Sequence, residues 1–250
     1  MNSKHQAWLD RLEDESRAKQ EQFINGIAAR LKRPRLTEPP PHPLRGAPEF
    51  WQAFDWSEQE RIDRFAANFS SVGGHVARLA TMQDAASFIA DKAAEMGARA
   101  ILRQDQPELA VLELESAIPG ADISVWNSDS AHSWKAKAAD ADFGVVMADY
   151  AAAYTGSVTV LSAPHKGRSV SLLPTVLMIL IPVERLKTRL GEILMEFDRA
   201  GQEQLPAGIH FISGPSRSSD IENDLTIGVH GPGIVYALIV GARLSDLGPL

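Results

Sequence analysis

The sequence predicts an α/β domain in which a mixed sheet is flanked by helices, preceded by an N-terminal helical arm. Three observations carry that prediction. Short apolar, β-branched runs alternate with segments of helical period along most of the chain. Late runs such as IVYALIVG are apolar on both faces, as strands buried between two layers are. At 250 residues and 44% hydrophobic content, the chain is long and apolar enough to bury one good-sized core.

The elements follow in order. Residues 1–33 combine strong helix formers with an apolar stripe through Trp8, Leu9, Leu12, Phe23, Ile24, Ile27 and Leu31, which predicts an amphipathic arm with a break near Gly26. Residues 34–48, PRLTEPPPHPLRGAP, are too rich in proline for regular helix and read as an extended connector, which leaves 49–250 as the body. In the body, a helix is expected near 56–69, a strand at VGGHVARLA, and a helix over 82–97 that stops at Gly97. ARAILRQD, AVLELES and ADISVWN read as strands, and SAHSWKAKAADA as a helix. DFGVVMA, SVTVLSA and PTVLMILIPV are apolar runs with short separations, which predicts local hairpin-like pairing and a mixed sheet. A long helix over VERLKTRLGEILMEFDRAG then precedes the strands GIHFISG and IVYALIVG.

Composition removes several function classes. A formal charge of −7 is unsuited to sequence-independent binding of nucleic acid or of an anionic membrane, both of which need dense Lys and Arg. With no cysteine, the chain can build neither a disulfide nor a thiolate metal site nor a Cys-ligated iron–sulfur cluster. Its charged N-terminus is unlike a secretory signal and VLMILI is too short to span a bilayer, so the expected compartment is the cytoplasm. Walker A, G-x-G-x-x-G, H-E-x-x-H and nucleophile-elbow motifs are all missing, and the seven histidines are scattered rather than set at metal spacing.

Three polar segments adjoin the late strands, and in α/β sheets such loops converge on ligand crevices. The first, YTGSV, offers Thr155, Gly156 and Ser157. In HKGRSVSLLP, Lys166, Gly167, Arg168 and Ser169 supply two cations, a pliant backbone and a hydroxyl, suited to an anion such as a phosphate or carboxylate. The plainer reading of that segment is a solvated hairpin tip. FISGPSRSSDIENDLTIGVHGPG contributes Gly214 and Ser216, and its Ser219 and Glu222 have the spacing of a capping box. There Asp220 and His230 are the candidates for proton transfer, His230 because an imidazole titrates near neutrality. A lone histidine in a Gly-Pro turn is more often structural.

The ordered set TGSVTVLS, GRSVSLLP, FISGPSRSSDIE and VHGPG, with FINGIAARLKRP in the arm, resembles the lactate-utilisation branch of the LUD-domain family. The resemblance covers roughly residues 23–35 and 140–241. It implies a fold like that of the NagB/RpiA/CoA-transferase group. It also implies a part in oxidising L-lactate to pyruvate beside partner subunits that carry the iron–sulfur clusters, with no cofactor in this chain. Where that family commonly has an acid before the T/S-G-T/S motif, this sequence has Tyr154, which supplies no carboxylate. The alternative is a free-standing enzyme or binding protein for a phosphorylated or CoA-linked metabolite.

Overall fold

A computed structural model describes residues 3–36, 38, 54–131, 133–219 and 225–241. It divides into two units, 1–54 and 55–250. In the first, helix α1 (Ser3–Arg30) runs without a break through Gly26. Along it Trp8 is 50% exposed and Phe23 69%, while Ile24 is partly buried. Most of the connector read over 34–48, together with Asp220 and Glu222, lies outside the described residues.

Six strands of the second unit form one sheet: β1 (His75–Leu79), β2 (Ala100–Arg103), β3 (Asp122–Val125), β4 (Phe143–Met147), β7 (Val176–Pro182) and β12 (Ile234–Val240). Their order across the sheet is β1-β12-β7-β4-β2-β3, and every neighbouring pair is parallel. Among the described residues, antiparallel strand pairs occur in two smaller sheets. β5 (Tyr150–Ala152), β6 (Ser157–Leu161), β8 (Leu186–Lys187) and β9 (Ile209–Ile212) form a second sheet ordered β8-β5-β6-β9, and β10 (Arg217–Ser219) pairs with β11 (Leu225–Ile227) as a ribbon. The hairpin-like pairing expected among DFGVVMA, SVTVLSA and PTVLMILIPV does not form between those runs: β4 and β7 lie side by side in parallel, and β6 pairs antiparallel with β5, a short strand the sequence reading did not include.

Side chains of a strand alternate between faces, so the six-stranded sheet carries two cores. On β7, Leu177, Ile179 and Ile181 face a layer made by α2 (Glu58–Ser71) and the second sheet, through Ile62, Phe65, Phe69, Val158 and Val160. Met178 and Leu180 face the opposite side, where α3 (Met82–Met96) packs Ala85, Ala86, Ile89 and Ala93. α2 starts at Ser57, whose hydroxyl accepts from the Glu60 N–H; α3 starts with a Thr81–Asp84 capping box and ends at Gly97 with φ 65°.

Two expected elements differ. AVLELES is no strand: it belongs to two helical turns, α4 (Pro107–Ala110) and α5 (Leu114–Ala117), with Glu113 at φ 47° between them. Leu109, Leu112 and Leu114 all enter one core, and a coil that reverses at Glu113 can bury all three where an alternating strand would divide them between faces. The long helix expected from Val183 is α8 (Leu190–Ala200) alone, because residues 183–187 turn and join the second sheet as β8. The remaining helices are α6 (Trp134–Asp140) and α7 (Ser169–Leu172). α7 crosses so close to β4 that a Cβ on Gly144 would stand 2.1 Å from the Val170 carbonyl oxygen.

Candidate functional site

Parallel strands all end at one edge of their sheet, and the loops there diverge where successive connections leave in opposite directions. From β2 the chain proceeds outward to β3, and from β4 it proceeds the other way to β7. The β2/β4 boundary is therefore the topological switch point, the place where open α/β sheets hold ligands. A cleft of about 510 Å³ lies there, lined by Gln106 and Glu108 beyond β2, Asp149 beyond β4, Glu184 and Arg185 beyond β7, and Lys166.

The Lys166 side chain is 8% exposed and that of Asp149 19%. The Lys166 ammonium donates to both carboxylate oxygens of Asp149, at 2.5 and 2.6 Å. Asp149 Oδ2 also accepts from the Leu161 N–H at 2.7 Å. A carboxylate this buried is tolerable because a cation and a backbone donor both face it. Arg185 Nη1 donates to the Ala148 carbonyl at 2.7 Å, and its Nη2 lies 3.5 Å from Glu108, so a second cation is fixed beside the first.

Lys166 is delivered by a tight turn, in which its N–H donates to the Ala163 carbonyl at 2.9 Å and its own carbonyl accepts from the Ala163 N–H at 3.2 Å. The turn is tied to the sheet from outside. Trp126 Nε1 and Asn127 Nδ2, just beyond β3, donate to the Pro164 carbonyl at 3.1 and 3.3 Å, and the Asp105 N–H donates to that of His165 at 3.0 Å. Gly167 is required by contact: a Cβ there would stand 1.9 Å from the Trp126 ring. Gln106 lines the cleft at 7% exposure, and its Oε1 has no hydrogen-bond partner among the described residues. Gln104 is fully buried, and neither of its amide atoms has a hydrogen-bond partner among the described residues.

The three loops read as one crevice occupy two places. Lys166 and Gly167 sit at the switch point. Thr155, Gly156 and Ser157 sit at the far end of the β5–β6 hairpin, where Asn68 of α2 donates to the Ala153 and Tyr154 carbonyls at 2.9 and 3.0 Å and Gly156 lies against Phe69 at φ 56°. The Ser157 and Ser213 hydroxyls are 2.7 Å apart, beside Gly214 at φ 88°. Ser216 is held by its N–H, which donates to the Pro232 carbonyl at 2.9 Å just before β12 begins. These residues therefore gather where the parallel strands start, opposite the cleft. His230 and Thr155 are exposed, as is Arg168 at the start of α7, followed by the half-buried Ser169. The Tyr154 ring lies 6.1 Å from that of Trp56. Desolvation, with the Arg168 cation second, holds the His210 imidazole below its ordinary pKa.

The reading from sequence missed Asp149, Gln106 and Arg185. An acid directly after the apolar run FGVVMA was the available signal, since strand-terminal polar residues line such crevices.

A three-layer α/β domain with a polar cleft at the switch point of a parallel sheet is the class this architecture defines. The chain belongs to the LUD domain family, whose match spans residues 62–240. Its relatives include Lactate utilization protein C of Halalkalibacterium halodurans, 34% identical over 219 residues that cover 86% of this chain and 94% of that protein. The protein of the same name from Shouchella clausii is 34% identical over 214 residues, covering 84% and 92%. Among solved structures, a DUF162 family protein from Deinococcus radiodurans shares the fold, with TM-score 0.55 and 16% identity over 74% of this chain and 99% of that one.

Proposed function

We propose that this chain is a cytoplasmic subunit of a lactate-utilisation system that oxidises L-lactate to pyruvate. Partner subunits carrying iron–sulfur clusters would perform the electron transfer. The supporting observation is the near full-length similarity to proteins named Lactate utilization protein C. An iron–sulfur cluster does not fit this chain, which has no thiolate to ligate it. The chain's own contribution would be to handle substrate or to complete the assembly.

The test is co-expression with candidate iron–sulfur subunits, affinity purification, and lactate-dependent dye reduction with and without this chain. The expected outcome is copurification and activity that depends on the chain. Purification alone, with no effect on lactate oxidation, would overturn the reading. It would favour instead a free-standing enzyme or binding protein for a phosphorylated or CoA-linked metabolite, for which the cleft at the switch point is the supporting feature.

A further inference from the structure

We propose that helix α1 joins two copies of this chain as an antiparallel, two-stranded coiled coil. Its large apolar residues fall into two clusters, Trp8, Leu9 and Leu12 toward the start and Phe23, Ile27 and Leu31 at the end, and all six are exposed. The Leu31 N–H donates to the Ile27 carbonyl at 2.9 Å, so the last of them continues the helical path. A helix in water is stabilised chiefly by packing its apolar face, and exposed apolar side chains gathered on one side mark a contact surface. The arm lies before residues 62–240, the span of the family match, so this stripe is no part of that domain's core.

Spacing, reach and charge select a second copy as the occupant. Leu9, Leu12, Ser16, Lys19, Phe23 and Ile27 recur in steps of three and four, which is the seam of a two-stranded coil. The two clusters cannot meet within one chain, because α1 runs unbroken and Leu12 and Phe23 stand about 16 Å apart along its axis. A two-fold axis near the middle of the helix lays the first cluster of each copy on the second cluster of the other, as a self-complementary interface requires. Leu12 then faces Phe23, Ser16 faces Lys19, and Leu9 sits beside Ile27 and against Gly26, where a Cβ would meet nothing within 4 Å. Charge fixes the direction. Asp10, Glu13, Asp14 and Glu15 outnumber Lys4 and Arg11 in the first half, whereas Arg17, Lys19, Arg30, Lys32 and Arg33 outnumber Glu21 from there to just past the end. Antiparallel packing sets the acidic half on the basic half; a parallel pair would set like on like and Lys19 on Lys19.

The experiment is sedimentation equilibrium of the full chain over a range of concentrations. A dimer is expected at about 10 μM, with association weakened about tenfold or more in Leu12→Asp and in Phe23→Asp. The urea midpoint of the body should stay level in both, because α1 and the body are separate units. Direction is read from introduced thiols, which report alone in a chain without cysteine. Leu12→Cys mixed with Phe23→Cys should oxidise to a disulfide between the two variants, while neither variant by itself crosslinks. The proposal is overturned by a monomer up to roughly 100 μM, by undiminished association in both Asp variants, or by crosslinking within each Cys variant alone. It is also overturned if the chain stays monomeric while both Asp variants lose copurification with the iron–sulfur subunits, which would assign the stripe to those partners. The dimer does not rest on the lactate-utilisation reading: copurification can fail with the dimer intact, and that result removes the subunit reading alone.

Discussion

Lys166 and Asp149 bring opposite charges to a place from which water is largely excluded, and each makes the other tolerable. Removing one partner strands the other, so Asp149→Asn should cost about 3–5 kcal/mol in urea unfolding. Replacing both, as Lys166→Met with Asp149→Leu, should recover most of that loss, since an apolar pair needs no desolvated charge. Gly167→Ala tests the neighbouring contact: the methyl must displace the Trp126 ring, and a shift in tryptophan emission with a lower unfolding midpoint is expected. Lys166 and Gly167 stood out in the sequence because a Gly flanked by cations is a local pattern. Asp149, one acid among 32, did not, because its role depends on a turn that returns seventeen residues later.

Among the elements, α2 shows how strongly one helix face is committed. Phe65 and Phe69 are fully buried with ring centroids 5.4 Å apart, and Phe65→Ala should destabilise by about 3–5 kcal/mol in denaturant melts. Strand β9 carries a pH dependence through His210. Its imidazole is held below the ordinary 6.5, so the unfolded chain takes up the proton more readily. The stability it contributes is complete above that value and is lost as pH falls through the lower folded pKa. Urea midpoints from about pH 7.5 down to about pH 5 should therefore decline, and His210→Gln should flatten the decline. Helix ends were legible because capping is local: Gly97 was identified from its own residue type. AVLELES misled because its alternation is local too, whereas the demand to bury Leu109, Leu112 and Leu114 together comes from α3 and the sheet.

For the whole molecule, net charge sets what will not bind. At −7 the chain should be retained by an anion exchanger near neutral pH and should leave DNA unshifted at about 100 mM salt; a mobility-shift titration checks this. The sequence by itself determined the layered α/β class, the helical arm, the exclusion of cysteine chemistry and the polar segments worth inspecting, because periodicity, composition and turn chemistry are properties of neighbours along the chain. Only the tertiary structure decided that the large sheet is parallel throughout, that the segments divide between its two ends, and that the cleft opens at β2/β4. Strand order depends on which distant runs pair, and residues brought together by that pairing, Asp149 with Lys166 and Gln106 beside them, leave no mark in any single stretch.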